Sequence, residues 1–279
     1  MNEAESNQNR PVGVIDSGVG GLTVAKEIMR QLPKEEIVYV GDTARCPYGP
    51  RPEEEVRRFT WEMIDYLMEK NIKLLVIACN TATAVVLEEA REKLSIPVLG
   101  VIHPGAVAAL KATDKEHIGV IGTEGTIHSG AYHQELTSIN NRVRVVSLAC
   151  PEFVPLVESG RAWKPEAESI VRKSLEPMLA YDIDTLILGC THYPLLAPQI
   201  QKACGSGVTV IASGEETARE VSSLLYFQKL QCSSDRPPNH RFYTTGSTTN
   251  FEHIAFSWIG KELPVYSLQL EQSRAGRSR

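Results

Sequence analysis

No apolar run in this 279-residue chain approaches the roughly 18 residues of a membrane-spanning helix, so no membrane role is expected. Positive charge is also in short supply: 29 Lys and Arg stand against 34 Asp and Glu, a formal net charge of −5. Such a surface presents no attractive field to nucleic acids or anionic lipid, and neither is expected as a partner. The six cysteines, Cys46, Cys79, Cys150, Cys190, Cys204 and Cys232, include no C-x-x-C pair, and no charged-then-apolar leader precedes the first strand. Free thiols in a reducing cytoplasm are therefore expected. No repeat period of roughly 20–50 residues and no low-complexity linker divides the chain. What is present is 42% hydrophobic content and enough length for two modest domains with complete cores.

Short apolar strands alternate with helical patterns, which implies βα units and mostly parallel sheet. The expected strands are 12–15, 37–40, 74–78, 98–102, 118–121, 143–147, 186–188, 208–211 and 242–244, too many for one compact doubly wound sheet. Pro52 and Glu53 to Glu55 open a helical pattern that runs to Lys70, and 164–179 reads as a second such helix. The expectation is an α/β protein of two similar halves: 11–99 rejoined by 208–268, and 100–207. Residues 1–10 and 272–279 are expected to be flexible tails.

Two phrases say nearly the same thing: Leu74 to Thr81 (LLVIACNT) and Leu186 to His192 (LILGCTH). Each runs an apolar strand into a small residue, a cysteine and polar side chains. Open parallel sheets place their ligand crevice beyond the carboxyl ends of the strands, so both thiols are aimed at one. A free cysteine is ordinarily a small buried hydrophobe, and Cys46, Cys150, Cys204 and Cys232 are read that way. Cys79 and Cys190 differ because polar residues and an expected helix start follow each, a setting that stabilises thiolate. His192 adds a group able to exchange protons near neutral pH. A zinc site of Cys79, Cys190 and His192 lacks the usual closely spaced ligand pairs, so no metal is expected.

Val14 to Thr23 (VIDSGVGGLT) ends a strand in Asp16 and Ser17, then enters a glycine-rich turn. It is no dinucleotide fingerprint, since Thr23 stands where the third glycine belongs, and no G-K-[ST] follows. Asp16 at the strand end can accept a proton or hold an ammonium; capping a turn is its other reading. The turn Gly41 to Pro50 can line the same crevice. Glu158 follows an apolar run in the second half, where a solvated surface role is the default.

An amino acid held between the two walls would present its α-carbon to both thiols. One thiolate removes the α-proton from one face while the other thiol protonates the opposite face, and configuration inverts. The segments Asp16-Ser17-Gly18-x-Gly20-Gly21, Asp42-Thr43-x-x-x-Pro47-Tyr48-Gly49, Ala78-Cys79-Asn80-Thr81 and Gly189-Cys190-Thr191-His192-Tyr193-Pro194 together resemble the glutamate racemases of the aspartate/glutamate racemase superfamily. The resemblance spans about Pro11 to Leu268. It implies cofactor-independent interconversion of L- and D-glutamate for peptidoglycan synthesis, by two pseudosymmetric α/β domains with the active site in the cleft between them, commonly as a homodimer. It also implies Cys79 and Cys190 as the acid/base pair, the first acting on the D-isomer and the second on the L-isomer. Asp16, Ser17, Tyr48, Gly49, Asn80, Thr81, Thr191 and His192 become substrate contacts; the residues themselves already offer Asp16 beside Cys79 and His192 beside Cys190 as proton partners, with Glu158 assisting the second pair.

One departure from the pattern is Ala212, where similar sequences often carry Asp before Ser-Gly; a lost local hydrogen bond is expected there. Three alternatives stay open: a racemase for another acid such as aspartate, a cysteine hydrolase using Cys190 with His192, and a ligand-binding protein without catalysis. The hydrolase reading leaves Cys79 idle and needs two residues, only two positions apart, to meet as nucleophile and base.

Overall fold

In the strand Leu74–Ile77, Leu74 and Val76 enter one apolar core while Leu75 and Ile77 enter another. That alternation, apolar on both faces, is the signature of a parallel strand covered by helices on each side. The second phrase repeats it: Leu186 and Leu188 face one core and Ile187 the other. Four cores therefore coat two sheets, one core on each face.

The computed structural model describes residues 7–270. Ten strands form two wholly parallel sheets: β1 (Val12–Asp16), β2 (Ile37–Gly41), β3 (Leu74–Ile77), β4 (Val98–Gly100), β5 (His117–Gly122), β6 (Arg144–Ala149), β7 (Thr185–Gly189), β8 (Thr209–Ala212), β9 (Arg241–Thr244) and β10 (Val265–Ser267). The first sheet has the order β10-β9-β2-β1-β3-β4 and the second β6-β5-β7-β8. Without β9 and β10 the two windings are identical, 2-1-3-4 in each. Each sheet changes winding direction between its first and third strands, which opens a crevice at their carboxyl ends. Cys79 follows β3 and Cys190 follows β7, so the two thiols occupy equivalent positions at the two crevices.

The expected helices form at Glu53–Glu69, with three acids in its first turn, and at Pro165–Leu179, with proline in its first turn. Three local expectations differ from the structure. β8 was expected with the first half but pairs with β7, in register from Thr185↔Thr209 to Leu188↔Ala212; its short apolar pattern carries no mark of which sheet it joins. β10 is absent from the expected strands because it is a three-residue edge strand with two exposed side chains. Residues 7–10 are tethered: buried Lys73 donates through Nζ to the Gln8 carbonyl at 2.6 Å and to the Leu230 carbonyl at 2.8 Å while pairing with buried Glu35. The remaining parts of both expected tails, 1–6 and 272–279, lie outside the described residues.

Candidate active site

Cys79 ends its strand in extended backbone and caps the helix Asn80–Lys93, where its Sγ accepts from the Ala82 N–H at 3.4 Å. Burial and the nearby Asp16 charge outweigh that donor and a hydrogen bond from Ser17, and push the Cys79 thiol up to about 12. Cys79 thus holds its proton at neutral pH.

Cys190 has a different setting. Thr191, His192 and a 3₁₀ turn at Tyr193–Leu196 follow it in place of the expected α-helix start. Its partner is the ring of His192, whose Nδ1 lies 3.8 Å from Cys190 Sγ, so two residues two positions apart do meet. The far side of that ring, Nε2, lies 3.1 Å from Glu158 Oε1. Burial opposes a charge on His192, but contact with the anionic form of Cys190 and with Glu158 prevails and raises it to about 10. Burial likewise opposes the Glu158 charge, and the hydrogen bond and charge of His192 reverse the balance and hold its carboxyl below the usual range. One thiol sits buried near the Asp16 carboxyl and the other beside an ionic chain.

Asp16 is fully buried, with Oδ2 accepting from the Gly18 N–H at 2.9 Å and Oδ1 accepting from the Thr191 hydroxyl at 3.2 Å. Burial raises its carboxyl, against the opposing pull of His192 and these donors. The Thr191 bond ties the second sheet to the first. Gly20 stands at the same junction, and a Cβ there would collide with Thr191 Oγ1 and the His192 ring.

Of the candidates from sequence, Ser17, Tyr48, Gly49, Cys79, Asn80, Thr81, Cys190, Thr191 and His192 line one cleft between the sheets. Asp16 and Glu158 stand behind it, touching Thr191 and His192 respectively. The walls leave about 10 Å³, roughly the space of one water. The Tyr48 hydroxyl is not turned to this space, because it donates to Asp42 Oδ2, which Arg45 also engages at 2.6 Å. Asn80 Oδ1 accepts from the Tyr132 hydroxyl, while Asn80 Nδ2 is buried without a protein acceptor among the described residues. Such an unspent donor in a polar cleft fits a carboxylate ligand.

Sequence reasoning missed Tyr132 and Thr123. A single tyrosine on an amphipathic helix carries no local signal. Thr123 does: it follows β5, the counterpart of β1, and so matches Ser17 in the other half. Its hydroxyl lies 2.9 Å from that of Thr81 across the cleft.

Ala212 is not among the residues lining this cleft. It precedes the helix Ser213–Phe227 in extended backbone and supplies no side-chain cap. The missing carboxylate is a missing helix cap.

The chain matches the profile of the Asp/Glu/Hydantoin racemase family over residues 12–221. A glutamate racemase from Bacillus cereus is 61% identical over 255 residues, which cover 91% of this chain and 95% of that protein. Among solved structures, a glutamate racemase isoform from Bacillus anthracis superposes with a TM-score of 0.92 at 51% identity, covering 94% of this chain and 98% of that one. A glutamate racemase from Francisella tularensis in complex with D-glutamate superposes with a TM-score of 0.89 at 33% identity, covering 95% and 100%.

Proposed function

The chain belongs to the Asp/Glu/Hydantoin racemase family, and from that premise we propose that it interconverts L- and D-glutamate, without added cofactor, by passing the α-proton between Cys79 and Cys190. The observation that carries this reading is two thiols after equivalent strands of two sheets, in one cleft, with unlike proton partners. Glutamate as substrate is supported by the names of the relatives and by the D-glutamate bound to the Francisella tularensis structure.

Substrate carboxylates are held by the Asn80 amide and by the hydroxyls of Ser17, Thr81 and Thr191, the first and last of which turn from Cys79 and Asp16 to the ligand as it binds, and Asp16 balances the ammonium. Cys79 as thiol and Cys190 beside an imidazolium make the resting site ready for the L-isomer. Cys190 takes the α-proton from one face as that C–H bond breaks; Cys79 gives its proton to the other face as the new C–H bond forms. The anion now rests on Cys79, and the site is ready for the D-isomer. Two groups are needed because one base would return the proton to the face it left. General acid and base catalysis of this kind contributes roughly 10²–10⁴-fold. Asp16 serves Cys79 as proton partner, and His192, held by Glu158, serves Cys190. With about 10 Å³ between the walls, glutamate enters only after the sheets part.

The family resemblance extends the proposal to D-glutamate supply for peptidoglycan by a cytoplasmic homodimer. Among the described residues no helix is long and apolar enough to cross a membrane.

The test is incubation of single enantiomers of glutamate and aspartate in deuterated water without pyridoxal phosphate, read by proton NMR and optical rotation. Glutamate alone exchanges its α-hydrogen and inverts. Cys79→Ala keeps slow exchange of the L-isomer with retention, and Cys190→Ala keeps that of the D-isomer. Full racemisation by either variant overturns the two-thiol mechanism.

A further inference from the structure

Glu158 Oε1 is shared. It faces His192 Nε2 at 3.1 Å and accepts from Cys46 Sγ at 3.2 Å, and the three atoms all lie within 4.8 Å of one another. The reaction proposed above uses the imidazole and the carboxylate and gives Cys46 no task. The three residues come from separate stretches: the turn after β2, the end of the helix Phe153–Glu158 and the segment after β7.

A thiolate, a carboxylate oxygen and an imidazole nitrogen are a donor set suited to a borderline divalent cation. Tetrahedral Zn²⁺ with bonds of about 2.3 Å to sulfur and 2.0–2.1 Å to nitrogen or oxygen sets neighbouring donor atoms roughly 3.3–3.6 Å apart. The two Glu158 contacts fall a few tenths of an ångström short of that spacing and all three donors lie within 4.8 Å of one another, so rearrangement of these side chains seats the ion. The Glu158 side chain is 34% exposed, which leaves a solvent side for entry and for a water as fourth ligand.

We propose that Cys46, Glu158 and His192 form a binding site for a divalent cation of the Zn²⁺ class, and that its occupancy stops the enzyme. On binding, the Cys46 S–H bond and the His192 Nε2–H bond break, both protons leave to solvent and a sulfur–metal bond forms; Glu158 and the freed Nε2 each donate a lone pair. Without the ion, burial and the Glu158 charge both resist ionisation of Cys46. A cation between the two groups reverses that repulsion. The metal then takes Nε2 and pins the imidazole to Cys46 and Glu158, so the ring can no longer adjust its Nδ1 contact with Cys190 as that thiol gains and loses a proton.

The loss of rate rests on the role of His192 proposed above, whereas metal ligation does not, and the two are read separately. For ligation, the chelator-stripped full-length enzyme is titrated with Co²⁺ as a spectroscopic probe. A near-ultraviolet thiolate-to-cobalt charge-transfer band is expected to saturate at one equivalent, to be displaced by Zn²⁺ and to be lost in Cys46→Ala and Cys46→Ser. Circular dichroism and thermal midpoints establish that the variants are folded. A band that persists in both variants places the metal on Cys79 or Cys190 and overturns the site, as does the absence of any band in the unsubstituted protein. For rate, Zn²⁺ suppresses racemisation reversibly by chelator, and each Cys46 variant, relative to its own metal-free rate, needs at least about tenfold more Zn²⁺ for the same suppression. Equal sensitivity overturns the inhibitory consequence. An unsubstituted, metal-free enzyme that fails to racemise glutamate overturns the function instead, and the cobalt band alone then decides the site.

Discussion

Tyr132, from the second half, donates its buried hydroxyl to Asn80 Oδ1 in the first at 2.7 Å and so fixes which end of the Asn80 amide remains free. The carbonyl end is spent, and the Nδ2 donor is the one left for a ligand. Tyr132 is a positioning residue under the proposed function. Tyr132→Phe removes a hydrogen bond worth about 1 kcal/mol and lets the amide turn, so KM for both glutamate isomers rises about fivefold. Steady-state kinetics check the split: kcat stays within about twofold, whereas a structural defect alone would lower active enzyme and leave KM unchanged.

Gly20 permits a close approach of the two halves. In Gly20→Ala the added methyl meets Thr191 Oγ1 and the His192 ring, which cannot both withdraw without moving Cys190's partner. Displacement near 1 Å at a reacting group lowers rate on the order of 10²-fold. Racemisation measured on protein shown to be folded by circular dichroism is expected to fall by that order, with the Asp16–Thr191 contact weakened as well.

The ionic chain predicts a pH signature. His192 is raised from its ordinary 6.5 to about 10, so the stability its charged form contributes is complete below pH 6.5 and drains away as pH climbs to about 10. Glu158 has the opposite sign: its contribution is present above the ordinary glutamate range and is lost in acid, below its lowered value. Urea midpoints of the unsubstituted protein should therefore fall between pH 6.5 and about 8, a window below the ordinary thiol range. His192→Gln should show a flatter profile there. An identical slope in both proteins would mean that the imidazolium pairing does not stabilise the fold.

Ala212 offers a gain. The residue sits at the N-terminal boundary of a 15-residue helix, in the extended backbone that a capping aspartate adopts. Ala212→Asp is expected to add about 0.5–2 kcal/mol of stability, measured by urea denaturation. The rate should not change, since residue 212 lies outside the cleft.

The thiols were legible because a buried strand, a small residue and a cysteine form a local phrase, and because parallel sheets put strand ends at crevices. Their unlike settings were less so. The expected helix start holds at Cys79, but Pro194 lies within a 3₁₀ turn after Cys190, and a histidine ring replaces the backbone donor. β8 and Tyr132 were hidden for one shared reason: partnership across the chain is a long-range property, and a four-residue strand or one tyrosine does not encode it. Glu158 stood out only as an acid after an apolar run; its contact with His192 comes from a fold-back of the chain that no spacing reveals.

The identical winding of the two halves meets a condition set by the proposed reaction itself. Mirror-image amino acids have equal free energy in water, so their interconversion has an equilibrium constant of unity, and kcat/KM must be equal in the two directions. The unlike walls around Cys79 and Cys190 cannot favour either product. They decide only how each direction divides that common ratio between binding and turnover, and every substitution in either wall must change kcat/KM in both directions by one and the same factor.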